Sequence, residues 1–226
     1  MKTIRLALFL AAILATSVAF ADSFTGTVTR YTGNMLPADY SASGLNEGTF
    51  TSSTLDFFAS GPQNSGITLA GFFANAGGGV DTSGLIGLNA VTSNCFDGTY
   101  ETSGACQSGS LATINNPSTA AYSTGMHITG TAYFNAGETY TITHDDGVML
   151  WLNGNLVVDA PSPVYVATTQ FSVNSTGLYD ITIDYMATNG NPSALILTTP
   201  EPASLALLGS GFFGLALLGR RSRNSI

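Results

Sequence analysis

The residues best suited to chemistry in this chain gather in one stretch, 137–159, GETYTITHDDGVMLWLNGNLVVD. Asp145 and Asp146 stand side by side within it, His144 precedes them and Trp151 follows. An Asp-Asp-Gly triplet reads first as a polar turn between two strands. His144, beside the aspartates, is placed to ligate a metal, but a lone strand histidine is more often a solvated or hydrogen-bonded neighbour; His127 has less to recommend it. Trp151 offers a face on which a sugar ring could stack. Along the strand, however, Val148, Leu150 and Leu152 fall on one side and Met149 and Trp151 on the other, and the expectation is that Trp151 is buried between sheets.

Catalytic constellations are scarce. The segment 22–199 has no lysine, no G-x-S-x-G, no HExxH and no phosphate-cradling glycine loop. A glycosidase needs two carboxylates about 5–10 Å apart across a cleft. Thirteen acidic residues make some such pair inevitable, so its existence says nothing. Asp180 and Asp184 share one face of a predicted strand, where solvent exposure is the expectation. The reading is that this protein is not an enzyme.

The residues around these candidates define a single acidic domain between two special ends. Lys2 and Arg5 precede an apolar run from Leu6 to Val18, and Ala19-Phe20-Ala21 supplies the small-x-small pattern that a signal peptidase accepts. Residues 1–21 are therefore read as a cleaved signal helix. The next segment, Asp22 to Thr199, suits one domain with a real core. It holds thirteen carboxylates against one base, Arg30, a formal net charge of −12. Such a surface repels nucleic acid and attracts divalent cations, which excludes nucleic-acid partners. Cys95 and Cys106 lie close together in CFDGTYETSGAC. In an oxidising compartment they read as a disulfide contributing roughly 2–3 kcal/mol; metal ligation is the rival, weakened by the lack of a CxxC pair.

Glycine, serine, threonine and asparagine dominate the domain, with turn residues every ten or so positions and no convincing helical periodicity. This predicts an all-β fold, a single antiparallel β-sandwich. The clearest strands are 126–134, 139–144, 148–152 and 156–159 around Asn153-Gly154, 179–185 and 194–197. In the first half, 24–31, 49–58 and 67–73 are plausible strands. No internal repeat and no long linker calls for a second domain.

The last segment, 200–226, opens on Pro200-Glu201-Pro202, continues through the uncharged run Ala203–Gly219 and ends with Arg220, Arg221 and Arg223. As a transmembrane helix the run reaches about 26 Å, spannable with snorkelling flanks. The arginines then stay cytoplasmic and the domain lies outside. Tripeptide, glycine-containing span and basic end together resemble the PEP-CTERM sorting signal of Gram-negative bacteria. That resemblance implies an inner-membrane-anchored precursor, processing by an exosortase, and a mature form at the cell surface or in an extracellular matrix. It is also associated with species that make exopolysaccharide.

The strand, Asp-Asp-Gly turn, Trp151-bearing strand and Asn-Gly hairpin resemble the protective-antigen-type β-sandwich domain, found in bacterial toxins, glycosidases and fungal adhesins. LYDITIDYMATNGNPSALIL (178–197) matches that family's closing strand, loop and strand. In its lectin members two adjacent aspartates joined by a cis peptide hold a calcium ion that binds sugar hydroxyls. The resemblance thus implies Asp145 and Asp146 as calcium ligands, since calcium takes six to eight hard oxygens. The lectins add an asparagine; the matching place here is Ala187, and the candidates are displaced to Asn189 and Asn191. The expectation is an exported surface protein that binds carbohydrate and is linked to exopolysaccharide or biofilm. The alternative is a structural envelope protein with no defined ligand site, and a polysaccharide-modifying enzyme stands third.

Overall fold

Alternating apolar and polar side chains generate most of the observed strands, because a period of two puts every second residue on one face. The computed structural model describes residues 22–32, 35–40, 44–60, 69–76, 79–85, 122–188 and 192–198. The signal segment, the sorting tail and both cysteines lie outside the described residues. No helix among those described is long and apolar enough to cross a membrane.

The strands are β1 (Ser23–Thr32), β2 (Leu45–Ser52), β3 (Asp56–Ala59), β4 (Val80–Asp81), β5 (Tyr122–Phe134), β6 (Thr139–Asp145), β7 (Gly147–Leu152), β8 (Asn155–Ala160), β9 (Ala167–Ser172), β10 (Gly177–Ala187) and β11 (Ser193–Thr198). They form a seven-stranded sheet in the order β4-β2-β1-β5-β10-β7-β8 and a four-stranded sheet in the order β3-β11-β6-β9. Every named pairing is antiparallel. The all-β sandwich predicted from composition is the fold, and it forms one compact unit, Asp22–Thr199.

Its core lies between the sheets. Phe24, Val28, Met126, Ile128, Phe134, Val148, Leu150, Ile181 and Ile183 come from the larger sheet and Phe57, Ile142, Phe171 and Leu195 from the smaller; all are buried. Each buried aliphatic or aromatic side chain of this size contributes about 1.5–3 kcal/mol of burial free energy. Aromatic edges reinforce the contact, with Phe57 at 4.9 Å from Phe73 and 5.8 Å from Phe50.

Asn153 and Gly154 form the two-residue turn joining β7 to β8, both in the left-handed region, at φ 49° and 77°. This is the geometry for which Asn-Gly is favoured, because it matches the twist of the flanking strands. Asn153 is fixed further: its Oδ1 accepts from Asp180 N at 2.8 Å and its own N donates to Asp180 O at 2.8 Å.

Three sequence expectations need correction. The stretch 67–73 is not a strand: α1 (Leu69–Phe73) is a short α-helix followed by a 3-10 turn at Ala74–Ala76. Leu69, Phe72 and Phe73 are all buried, and their i, i+3, i+4 spacing puts them on one helix face. The stretch 49–58 is two strands in different sheets. Ser52 breaks it, its Oγ donating to Thr54 O at 2.6 Å and accepting from Thr54 N at 3.2 Å, a local turn that competes with the ladder. Strand β9 has no counterpart among the expected strands, because Phe171 is the one buried residue in its span.

Candidate functional site

Three times the chain crosses between the sheets at the same end of the sandwich. β6, in the smaller sheet, ends at Asp145, and β7, in the larger, begins at Gly147, so Asp146 alone makes the first crossing. Residues 161–166 make the second: Ala160 pairs with Val148 on one side and Ala167 with His144 on the other. Residues 188–192 make the third, from Ala187 beside Met186, which pairs with Gly147, to Ala194, which pairs with Asp145.

The first crossing is tightly built. The Asp145–Asp146 peptide is cis, the geometry that the resemblance implies. Asp145 and Asp146 are each 2% exposed, as is His144. Asp146 Oδ2 accepts from Thr188 N at 2.5 Å and from Thr188 Oγ1 at 2.7 Å, which ties the first crossing to the third. His144 Nδ1 lies 2.6 Å from the Asp146 carbonyl. A carbonyl only accepts, so Nδ1 carries the proton and donates. Its Nε2 meets the Thr169 hydroxyl of β9 at 3.1 Å. Tyr185 OH donates to the Asp145 carbonyl. Gly147 completes the turn, since a Cβ there would run into the Pro161 carbonyl of the second crossing.

Both carboxylates thus sit in a buried, oxygen-rich junction of three crossings. The domain's one base, Arg30, is buried at the same end: it pairs with Thr124, which pairs in turn with Ala187. Among the described residues no group of three or more His, Cys, Asp and Glu is set to hold a metal. Two carboxylates with hydroxyl and backbone carbonyl oxygens are nonetheless the hard donor set that calcium selects, and soft or nitrogen ligands are not needed. The junction fits calcium in the chemistry of its donors. Asn189 and Asn191 belong to the third crossing and lie outside the described residues.

Trp151 is not buried between the sheets. Val148, Leu150 and Leu152 take the inner face, whereas Trp151 and Met149 are half-buried on the outer face of the larger sheet. Trp151 pairs with Thr182 and Leu156, at the hairpin end of β7 and away from the aspartates. The alternation was legible; which face would be covered depended on the second sheet. On that same outer face, Asp184 is not simply solvated: its Oδ1 lies 2.6 Å from His127 Nδ1, and the His127 ring stacks on Tyr40 at 5.1 Å. Asp180 is exposed as expected.

Sequence reasoning missed Thr188, which meets Asp146 across 42 residues, and the positioning role of His144, whose contact with Thr169 spans 25 residues between paired strands. It also passed over Tyr165, 69% exposed in the second crossing. The run Pro161-Ser162-Pro163, which marks a rigid loop between strands, was the available signal.

The two adjacent carboxylates thus lie where the chain of a β-sandwich crosses between its sheets. Residues 88–203 match the PA14 domain, the protective-antigen-type sandwich, and the chain belongs to that family. Residues 198–222 match the PEP-CTERM protein-sorting motif, which marks an exported protein with a C-terminal membrane-anchoring sorting signal. Among solved structures the chain is similar to the PA14 domain of the antifreeze protein MpAFP, at 18% identity over 75% of this chain and 77% of that one, with a TM-score of 0.43. It is similar also to the PA14 sugar-binding domain from an RTX adhesin, at 15% identity over 79% and 96% of the two chains, with a TM-score of 0.43. A third is the anti-sigma factor domain-containing protein from Clostridium clariflavum, at 18% identity over 80% of this chain and 43% of that one, with a TM-score of 0.41. No curated protein matches the chain.

Proposed function

We propose that this is an exported surface protein, processed by an exosortase, whose sandwich binds carbohydrate through a calcium ion held at Asp145 and Asp146. The observation that carries this reading is the pair of buried, adjacent carboxylates at a junction of three crossings, with Asp146 Oδ2 fixed by two donors from Thr188. Calcium bound there supplies open coordination positions for vicinal sugar hydroxyls. The chain's own residues do the positioning. His144 and Thr188 orient Asp146, Tyr185 fixes the Asp145 carbonyl, and Asn189 and Asn191 would add amide oxygens. The role is binding rather than catalysis. The ligand class that suits the sorting signal is the producer's own exopolysaccharide, in a surface layer or biofilm matrix outside a Gram-negative inner membrane.

The test is a glycan array probed with the mature protein in calcium and in chelator. Calcium-dependent binding, lost in Asp145→Asn and Asp146→Asn, is the expected result. Binding of no glycan under either condition rejects the reading.

One observation favours a second reading. The Thr188 bonds to Asp146 join two crossings through protein groups, and His144 braces the Asp146 carbonyl. On that reading the aspartates are a structural knot and the protein is an envelope component with no defined ligand site. Surface attachment unchanged by either aspartate substitution would support it.

A further inference from the structure

The second crossing, residues 161–166, leaves β8 at Ala160 and rejoins the smaller sheet at Ala167. Both of its ends are anchored at the aspartate junction: the Pro161 carbonyl abuts Gly147, and Ala167 pairs with His144. Position 165 lies two residues before Ala167, which pairs with His144. The residue there is Tyr165, 69% exposed, with Val166 beside it at 38%. Tyr31, Tyr40, Tyr133, Tyr140, Tyr179 and Tyr185 are buried or half-buried, with hydroxyls bonded as at Tyr31, Tyr140 and Tyr179. A tyrosine left this far in solvent contributes little to the core, and its ring face is free for a ligand.

Two prolines precede it in Pro161-Ser162-Pro163-Val164-Tyr165. Each fixes one φ angle, so the loop loses less conformational entropy when a ligand immobilises it. A rigid loop presenting one aromatic face beside a hydroxyl-binding junction is the arrangement that recognises a pyranose: polar groups take one edge, and the ring's axial C–H face lies on the aromatic.

We infer that Tyr165 is the stacking and specificity-determining residue of the site, holding the apolar face of the sugar whose hydroxyls meet the Asp145–Asp146 junction. This rests on the carbohydrate reading above. It assigns the aromatic role to Tyr165 and not to Trp151, which lies at the opposite end of β7.

Three variants of the mature protein, Tyr165→Ala, Tyr165→Trp and Trp151→Ala, are measured against whichever glycan the wild type binds, and by direct calcium titration. Tyr165→Ala is expected to weaken glycan affinity about tenfold with calcium affinity and melting temperature unchanged, because the side chain is exposed and the ion does not touch it. Tyr165→Trp retains or tightens binding, and Trp151→Ala leaves it as it was. Undiminished glycan affinity in Tyr165→Ala overturns this inference while leaving the calcium-assisted site standing. Equal loss of calcium and glycan binding in Tyr165→Ala also overturns it, by making the residue merely structural. A wild type that binds no glycan removes both readings.

Discussion

Thr188 donates twice to one oxygen of Asp146, from its backbone N at 2.5 Å and from its hydroxyl at 2.7 Å. The two residues belong to different crossings of the sandwich. Thr188 is itself 3% exposed. Removing the hydroxyl leaves a buried charged acceptor short of a donor, which costs about 1–3 kcal/mol. Thr188→Val is therefore expected to lower the unfolding free energy, measured by denaturant titration, by that amount, and Thr188→Ser to lose much less. A larger loss in Thr188→Ser than in Thr188→Val would show that the methyl group, and not the hydroxyl, matters.

The faces of β7 give a second prediction. Leu150 is fully buried and Trp151 half-buried on the outside. Leu150→Ala should cost about 2–5 kcal/mol through lost burial and the cavity left behind. Trp151→Ala should cost clearly less in urea unfolding. The reverse order would contradict the assignment of faces.

The β7–β8 turn gives a third. Asn153 holds φ 49° and its Oδ1 accepts from Asp180 N. Asn153→Ala loses that bond and places a Cβ-bearing residue with no compensating side-chain bond in the left-handed region, for about 1–2 kcal/mol. Asn153→Gly keeps the backbone freedom and should cost less. Thermal unfolding of the two variants distinguishes the contributions.

Alkaline pH gives a fourth. Burial pushes the Tyr31 hydroxyl up from 10.0 to about 12, with the neighbouring Tyr40 adding to the effect, and Tyr31 OH donates to Tyr40 O at 2.6 Å. The unfolded chain ionises this group near pH 10, whereas the folded chain resists until about pH 12. The stability this group contributes is thus fully present below pH 10 and is lost as pH rises toward 12. Tyr31→Phe should flatten that part of the stability profile; an identical slope in the variant would contradict the assignment.

Much of this architecture was legible in the sequence because it is written locally. Alternation in 126–134 and 179–185 marks buried strands, and Asn153-Gly154 marks its own turn. What the sequence left open was non-local. A Ser52 turn, worth two short hydrogen bonds, splits what reads as one strand, and one turn of helix at Leu69–Phe73 is too short to show a period. At the candidate site the two aspartates could be named in advance. Thr188 and Tyr165 could not, because their importance arises only when three crossings meet at one end. Trp151 was misplaced for a related reason: periodicity separates two faces but does not say which one the second sheet covers.

The proposed calcium site is formed by Asp145 and Asp146. It is tested most directly by isothermal titration of calcium into the mature protein and into the Asp145→Asn, Asp146→Asn double variant, with folding of each checked by circular dichroism. The account predicts a single site in the wild type that disappears in a folded double variant. A wild type that takes up no calcium at millimolar concentration, or a double variant that binds it undiminished, would contradict it.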